Sequence, residues 1–477
     1  MSLDLERPLR NPDESSEPLM TKRARWLILM GFVLPGSAQL LSGNRRLGRF
    51  GLISTVLLIA GALIALLGFL LMRVQTLTIL TNGFVLLVLQ WVLFGYAVLW
   101  IVLGFNTLRL TRIVRVHRNW KLPVAVLSVV LTVVPAVGAA WAGSAVAAGR
   151  GVLSNLFASA PAVEPIDGRY NILLLGTDAG QDREGMRPDS ISLVSVDAQT
   201  GQSVIIGIPR ELINMPFPES SPMHPVHPNG FCVGPNAFGE GGGCLTNGYL
   251  NALFAEVEQA DEIVEVEGLP EEFAQFYEGL YPDAAAKGTS PGIEAIKDAV
   301  QGATGLDPQF HVLVNMDAFS NLIDALGGIT VNVTEELPIG GDQDGNNVEG
   351  WIMPGEQGMD GYTAQWYARS RYGSADGDYA RMRRQREIQA AILAQMNPEN
   401  VLLRFQDIAS AGTQLVETDI PESMLGRFVD LASKARAFTP VNVELAPPEV
   451  DPEYPDFSAI QQLVAAGVAE ASPPETN

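Results

Sequence analysis

Residues 170–176 read YNILLLG, an apolar run that ends in glycine. A short apolar run bounded by turn residues predicts a strand that is buried on both faces of a sheet. The runs SISLVSV at 190–196 and SVIIGI at 203–208 follow it, joined by a turn that contains Gln-Thr-Gly. They predict two further strands that pair with each other.

Helices and strands alternate along the rest of the chain. The helix expected at 291–304 begins with Pro291 and is followed by Gly305, residues that favour those two positions. Further helices are expected at 247–257, 317–326, 361–366, 401–411 and 422–434, and further strands at 310–315 and 329–333. This alternation predicts an α/β domain, with a central mixed sheet between two layers of helices.

The 477-residue chain is too long for one ordinary domain, and its charge divides it into two parts. Residues 1–150 contain 15 Lys+Arg and 5 Asp+Glu, a net charge of +10. Residues 151–477 contain 16 Lys+Arg and 48 Asp+Glu, a net charge of −32. A part that is so acidic argues against a nucleic-acid surface.

Apolar segments long enough to span a membrane lie in the first part, at about 50–72, 83–104 and 123–148. The loop at 105–122 carries five basic residues, which places it in the cytoplasm. A fourth apolar stretch, 26–42, is shorter and contains Pro35-Gly36, so we expect a re-entrant hairpin there. The alternative is a fourth span, which would put the basic N-terminus outside. The three spans contain no ionisable residue, which favours anchoring over ion transport.

These features predict the organisation of the chain and its location in the cell membrane as a multi-pass protein. The expected order is a cytoplasmic tail (1–25), a membrane region (26–150), a linker (151–168), an extracytoplasmic domain (169–460) with a Pro/Gly-rich insertion (214–247), and a C-terminal tail (461–477). An odd number of spans after a cytoplasmic N-terminus places the large domain on the extracytoplasmic side.

Both cysteines, Cys232 and Cys244, lie in the insertion and bracket a glycine-rich loop. In an exported domain a pair this close in sequence predicts a disulfide. Such a bond would contribute roughly 3 kcal/mol in the chain-entropy model. The alternative is a metal site that includes His224 and His227 of the nearby sequence HPVH.

Residues 366–386 read WYARSRYGSADGDYARMRRQR and contain six arginines and no lysine. Arginine binds phosphate or carboxylate through a planar fork, so this stretch predicts an anion site in an otherwise acidic part. Arg369 and Arg371 are two residues apart and would point to one face of an extended segment. The alternative is a basic helix that only balances nearby acids.

The second half of this stretch has helical spacing. Asp378, Arg381 and Gln385 would form one stripe of a helix, which continues into isoleucines that should be buried. Arg383, Arg384 and Arg386 fall off this stripe, and we expect Arg383 and Arg386 to face solvent or to be structural. The N-terminus of such a helix also favours anions.

Two aspartates flank the loop that follows the first strand. Asp178 lies at the end of that strand, where α/β folds place their ligands, and Asp189 begins the next strand. Together they could hold Mg²⁺, which prefers one or two carboxylates with phosphate oxygens. Arg187 and Arg210 lie near them in sequence; the alternatives are a turn aspartate and a surface arginine. The sequence has neither a Walker-type motif nor a Gly-x-Ser-x-Gly elbow.

Seven segments occur in order between residues 170 and 396: NILLLGTD, RPDS, SVIIGIPRE, LDPQFHVLVNMDAF, LGGITVNV, GMDGYTAQWYARSRY and GDYARMRRQREI. Together they resemble the LytR-CpsA-Psr family of membrane-anchored enzymes. The resemblance implies a Mg²⁺-dependent phosphotransferase with an α/β/α domain of that family. Its reaction would move a glycopolymer from undecaprenyl pyrophosphate to peptidoglycan, with a pyrophosphatase side activity when water replaces the acceptor.

The resemblance also implies roles for individual residues. The metal-binding positions are matched by Asp178 and Asp189. The pyrophosphate-binding positions are matched by Arg187, Arg210, Arg369, Arg371 and Gln385. A Gly-Asp-x-x-Arg element that supports the site is matched by Asp378 and Arg381, and a helix asparagine by Asn251. The resulting catalytic set is Asp178, Asp189, Arg210, Arg369, Arg371 and Asp378, with Arg381 as a further pyrophosphate contact.

Two features depart from the family pattern. Pro188 stands where a serine is usual, and several spans replace the single anchor. The expected partners are the lipid-linked glycopolymer, peptidoglycan and membrane lipid, and not nucleic acid. Two other functions stay open at this point, namely a phosphohydrolase that only cleaves lipid pyrophosphate and a non-enzymatic regulator of the cell envelope.

Overall fold

The computed structural model of the chain describes residues 12–156, 160–177, 187–341, 346–370, 378–395 and 416–472. It divides into two compact units, Met1–Gly151 and Val152–Asn477. Asp178, Arg371 and the helix expected at 401–411 lie outside the described residues.

The first unit is helical. Its helices are α1 (Glu17–Val33), α2 (Ser37–Ser42), α3 (Arg45–Leu71), α4 (Arg73–Thr81), α5 (Gly83–Thr111) and α6 (Arg118–Leu156), with a 3₁₀ turn at Ile113–Arg115. Among the described residues, three helices (α3, α5 and α6) are long and apolar enough to span a membrane. The side chains of Asn44 and Asn82 cap α3 and α5 by accepting backbone N–H groups.

Helices α1 and α2 lie alongside α5 and run in opposite directions. Nη1 of Arg23 in α1 donates to the Leu110 carbonyl at 2.7 Å. Beyond the break between the two helices, Nε2 of Gln39 in α2 donates to the Leu103 carbonyl at 2.8 Å. Gly43 then lies against the Leu110 side chain again. This segment runs along α5 for about two turns and turns back, which is the course that a re-entrant hairpin would take.

The second unit is built on a six-stranded sheet. Its strands are β1 (Arg169–Thr177), β2 (Pro188–Asp197), β3 (Ser203–Ile208), β4 (Phe310–Asn315), β9 (Val416–Thr418) and β10 (Val441–Glu444), in the order β10-β3-β2-β1-β4-β9. The pairs β1–β4 and β3–β10 are parallel, and the other three pairs are antiparallel. The sheet is therefore mixed, as the sequence predicted.

Helices pack on both faces of this sheet. They are α7 (Leu253–Glu258), α8 (Ala260–Glu267), α9 (Ala284–Lys287), α10 (Pro291–Thr304), α14 (Leu425–Ala435) and α15 (Phe457–Glu470), with 3₁₀ segments at Leu250–Ala252, Glu271–Phe276 and Glu422–Met424. Leu173 and Ile206 share a cluster with Ile296 of α10, whereas Tyr170 shares another cluster with Leu431 of α14. Because successive residues of a strand face opposite sides, the sheet lies between two helical layers.

A smaller structure stands beside the sheet. It contains the pairs β5 (Ile329–Val333) with β8 (Gly355–Met359) and β6 (Leu337–Gly340) with β7 (Val348–Ile352), and the helices α11 (Met316–Leu326), α12 (Gly361–Arg369) and α13 (Asp378–Gln395). Ile323, Tyr367 and Ile388 form part of its buried cluster. Strands β6, β7 and β8 were not expected from the sequence.

The C-terminal boundary differs from the expected one. We placed a tail at 461–477, but residues 457–470 form α15, in which Ile460 and Val464 are buried in the main core. Gly467 lies one turn further and packs against Val443 of β10. This apolar spacing of one residue per turn keeps the helix on the sheet, so the packed domain continues past residue 460.

Candidate functional site

The register of the strands brings several strand ends to one edge of the sheet. Thr177, the last residue of β1, lies opposite Pro188 at the start of β2. Ile208, the last residue of β3, lies opposite Ile191 of β2. The residues that come directly after Pro188 and Ile208 therefore meet at this edge.

Asp189 and Arg210 form an ion pair there. Nη1 of Arg210 donates to Oδ1 of Asp189. The Arg210 side chain is 17% exposed and the Asp189 side chain is 24% exposed. Nη2 of Arg210 donates to Glu211 at 3.1 Å. The backbone is held as well, since the N–H of Asn251 donates to the Arg210 carbonyl at 3.0 Å. A guanidinium fixed in this way, with part of its surface open to solvent, can bind a phosphate group in one orientation.

Helix α13 brings two more of the expected residues to this region. Arg381 is buried, and its Nη2 donates to the backbone carbonyl of Asp189 at 3.4 Å. Gln385, one turn further, donates to the carbonyl of Ala368 near the end of α12 at 3.4 Å. Asp378 is the first residue of the helix. The helical stripe expected from the sequence therefore runs from the sheet edge to the end of α12.

Arg369 has a different conformation from the one we predicted. It is the last residue of α12, not part of an extended segment, and its side chain is exposed. The helix continues beyond residue 366 because Tyr367 and Ala368 are buried in the cluster around β5. A cation is favoured at the C-terminal end of a helix. Arg187 is also exposed, directly before β2.

Arg384 is a supporting residue that we did not assign from the sequence. Nε donates to the Tyr367 carbonyl at 3.0 Å, and Nη2 donates to the Ser370 carbonyl. These carbonyls lie at the end of α12, where a helix leaves its acceptors unsatisfied. Nη1 pairs with Glu335 at 2.8 Å. Burial lowers the pKa of the Arg384 guanidinium, although the Glu335 charge opposes this effect. Arg384 thereby fixes the backbone on both sides of Arg369.

Arg386 is structural, which was one of the two roles that we expected for it. Its side chain is buried, and Nη2 pairs with Glu444 of β10 at 2.7 Å. The guanidinium crosses strand β3 directly above Gly207, where any Cβ would collide with Nη1. Gly207 thus allows α13 to be joined to the edge strand of the sheet. Arg383 is exposed on the same helix.

The insertion is closed by a disulfide between Cys232 and Cys244. The buried carboxylate of Glu256 holds the two residues that follow Cys244. It accepts the N–H groups of Leu245 at 2.9 Å and of Thr246 at 3.1 Å. Burial raises the pKa of Glu256, and these hydrogen bonds oppose the shift. The two sulfurs and Glu256 lie close together, but disulfide sulfurs are not thiolate ligands, so this group does not favour a metal.

His227 is held by hydrogen bonds that do not suit the alternative of a metal site. Its Nδ1 accepts the N–H of Cys232 at 3.4 Å, and its Nε2 lies 2.9 Å from the Tyr277 hydroxyl. The hydroxyl in turn donates to Glu256. This network assigns the proton to Nε2 and keeps the ring neutral. Burial lowers the pKa of His227 to about 4.

Acidification is expected to weaken the fold through His227. Its pKa lies below the ordinary 6.5, so the unfolded chain takes up the proton first. The stabilising contribution is intact above pH 6.5 and is lost as the pH falls towards 4, by about 2 kcal/mol between pH 7 and pH 5. Urea unfolding of the full chain in detergent at pH 7 and pH 5 measures this change in the free energy of unfolding. The His227→Gln variant should show a shallower dependence, and equal slopes would contradict the assignment.

Part of the second unit is similar to a known protein family. Residues 261–465 match the model of the LytR_cpsA_psr family. Biofilm regulatory protein A of Streptococcus mutans is 30% identical over 136 residues, which are 28% of this chain and 32% of that protein. The polyisoprenyl-teichoic acid–peptidoglycan teichoic acid transferase TagU of Enterococcus faecalis is 30% identical over 129 residues, 27% of this chain and 40% of that protein.

The aligned segments span about a third to two fifths of the length of these two relatives. The crystal structure of TagV from B. subtilis aligns with a TM-score of 0.40 and 18% identity, covering 64% of this chain and 98% of that chain. The family match contains α12 and α13 with Arg369, Arg381 and Gln385, whereas Asp189 and Arg210 precede it. Residues 261–465, within the unit that is built on the mixed sheet, therefore carry the match to the LytR-CpsA-Psr family.

Proposed function

We propose that this protein is a phosphotransferase that moves a glycopolymer from undecaprenyl pyrophosphate to peptidoglycan. The observation that carries the proposal is the guanidinium of Arg210, oriented by Asp189 at the sheet edge to which Arg381 also reaches. One similar protein is a polyisoprenyl-teichoic acid–peptidoglycan teichoic acid transferase, which supports the same chemistry.

The reaction requires an attack on phosphorus. A hydroxyl oxygen of the acceptor forms a bond to the phosphorus that carries the polymer, and the bond from this phosphorus to the bridging oxygen breaks. Polyprenyl phosphate leaves with the electron pair, and the hydroxyl proton is released to a base. Negative charge grows on the leaving phosphate, so Arg210 and Arg369 would stabilise the transition state more than the substrate.

We further propose Mg²⁺ as the cofactor. The donor chemistry fits, because Asp189 presents a carboxylate beside the pyrophosphate-binding arginine, and magnesium prefers carboxylate, phosphate and water oxygens. Oδ1 of Asp189 accepts from Arg210, so the metal would take Oδ2, with Asp178 as the second carboxylate. When bound, the ion would neutralise charge on the pyrophosphate.

The location that fits this substrate is the outer side of the cell membrane. The three apolar helices suit a membrane anchor, and the five basic residues of the loop at 105–122 favour the cytoplasm. With this topology the α/β domain would lie outside, where it would meet peptidoglycan. Water that enters the site in place of the acceptor would give a pyrophosphatase side activity.

The test uses the full chain in nanodiscs with a labelled polyprenyl-pyrophosphate glycopolymer and insoluble peptidoglycan. The wild type should attach label to peptidoglycan, and EDTA should stop it. Arg369→Ala should lower the rate by about tenfold to a hundredfold, because a charge near the transferred phosphate is lost. The matched control is Arg383→Ala, an exposed arginine of the neighbouring helix, which should retain the wild-type rate.

Other results would replace the proposal. Release of polyprenyl phosphate without label on peptidoglycan would indicate a phosphohydrolase. Absence of turnover, together with full complementation of a deletion strain by Arg369→Ala, would indicate a non-enzymatic regulator.

A further inference from the structure

Aromatic side chains are exposed on the surface that leads to Arg369. Of the seven tryptophans of the chain, two lie beyond residue 151, and both are found here. Trp351 of β7 is 54% exposed and Tyr362 of α12 is 46% exposed, while Trp366 is half-buried. Large aromatic rings that remain exposed at one place are typical of a binding surface.

One face of α12 joins these rings to the proposed pyrophosphate site. Tyr362 and Trp366 are four residues apart, and their rings contact edge to face with centroids 6.4 Å apart. Arg369 follows three residues later, so it lies on the same face one turn further. The opposite face carries Ala364 and Tyr367, which are buried. The stripe therefore runs from the aromatic rings to the exposed arginine.

Strand β7 extends the same surface sideways. Oε2 of Glu349 accepts the hydroxyl of Tyr362 at 2.7 Å. Trp351 is two residues further along the strand and is exposed on the same side as Glu349, about 7 Å away along the strand. We call the surface formed by Glu349, Trp351, Tyr362 and Trp366 the aromatic platform.

The chemistry of the platform suits a neutral sugar chain. Aromatic rings stack on the apolar faces of pyranose rings, while a carboxylate and a phenol exchange hydrogen bonds with hydroxyl and amide groups. Two carboxylates lie at the platform, namely Glu349, which bonds to Tyr362, and Asp360, which caps α12. These charges would repel a polyanionic polymer and an anionic membrane surface.

We propose that the aromatic platform binds the acceptor glycan, a chain of N-acetylated amino sugars, and directs one of its hydroxyls towards the phosphate at Arg369. The inference rests on the proposed transferase function and identifies where its second substrate lies. Because Trp351 stands on a strand and Tyr362 on the adjacent helix, and both are exposed, a long chain can pass across them.

Glycan binding can be measured without turnover. The full chain in nanodiscs is titrated with chitohexaose by calorimetry and sedimented with insoluble peptidoglycan. Trp351→Ala and Tyr362→Ala should each weaken binding about tenfold. The matched control is Tyr454→Ala, which removes an aromatic ring that is 81% exposed elsewhere on the domain and should bind as the wild type does. Circular dichroism verifies that each variant is folded.

The outcomes separate this inference from the proposed function. Binding of chitohexaose by both Trp351→Ala and Tyr362→Ala as tightly as by the wild type would overturn the platform, even if transfer is observed. Loss of binding in both variants supports the platform even if the wild type consumes no lipid pyrophosphate, a result that would remove the transferase proposal alone. Quenching of Trp351 by brominated nanodisc lipids would assign the surface to the membrane and overturn the glycan site.

Discussion

Replacement of Arg210 by alanine should lower kcat/KM for glycopolymer transfer by about 10²–10³-fold, which corresponds to loss of one oriented donor at the developing charge. The structure explains why the effect should be large. Asp189, Glu211 and the N–H of Asn251 hold the side chain and backbone of Arg210, so the guanidinium needs little reorganisation when the phosphate binds. Initial rates with labelled lipid-linked polymer measure the effect.

The lysine variant tests orientation separately from charge. Arg210→Lys keeps the positive charge but loses the planar fork, so it should recover no more than about a tenth of the wild-type rate. Arg436→Ala removes an exposed arginine at the end of α14 and should leave the rate unchanged. Full activity of Arg210→Lys would show that a point charge is sufficient.

Replacement of Asp419 by alanine should destabilise the domain by about 3–5 kcal/mol. It removes one of the two carboxylates that pair with the buried Lys297, the other being Glu294 at 2.9 Å, and leaves the N–H of His311 without its acceptor. Asp419 follows β9 and accepts from Nζ of Lys297 in α10. It also accepts the N–H of His311 in β4 at 2.7 Å. The exposed fractions of the Lys297 and Asp419 side chains are only 8% and 6%. Denaturant unfolding at pH 7 measures the loss.

The ionisation of this pair predicts the pH range of the effect. Burial alone would raise the pKa of Asp419, but the contact with the His311 ring, whose Nδ1 lies 3.2 Å from Oδ1, and the charge of Lys297 lower it below 3.8. Burial alone would lower the pKa of Lys297, yet Asp419 and Glu294 raise it above 10.5. The contribution of Asp419 is therefore present above pH 3.8 and is lost as the pH falls further, while that of Lys297 is lost only above pH 10.5.

An exposed pair provides the control. Lys434 and Asp430 of α14 are four residues apart and 2.8 Å from each other, with Lys434 45% exposed. Asp430→Ala should cost less than about 1 kcal/mol, since solvent already screens this pair. An equal loss in Asp419→Ala and Asp430→Ala would contradict the importance of burial.

Local sequence signals predicted four of the six strands of the central sheet and missed β9 and β10. Runs such as 203–208 and 310–315 coincide with β3 and β4, and the helix expected at 291–304 coincides with α10. In each case the signal is local, because the spacing of apolar residues and the residues at the ends of the element are read within a few positions of the sequence. Strands β6 to β8 were missed, since β6 (LPIG) and β8 (GEQGM) contain proline or glycine and are weak strand formers by themselves. Their pairing depends on the helices that cover them.

For the candidate site, sequence predicted the residues better than their conformations. Asp189, Arg210 and Arg381 converge as expected, because strand ends and helix stripes follow simple periods. The helical position of Arg369 depends on the burial of Tyr367, which local patterns do not reveal. We wrongly placed Arg384 off the stripe. It stands three residues after Arg381 and four before Ile388, and it is buried as they are.

The parallel pairing of β3 with β10 has a consequence for the order in which the chain folds during synthesis. Val204 of β3 lies opposite Val441 of β10, so the ribosome must add more than two hundred residues before this edge is covered. Until then the apolar run at 203–208 is an open strand edge, on which another nascent chain can pair. Contacts so distant in sequence also slow folding. The late arrival of β10 therefore makes the sheet most vulnerable to aggregation just before its synthesis is complete.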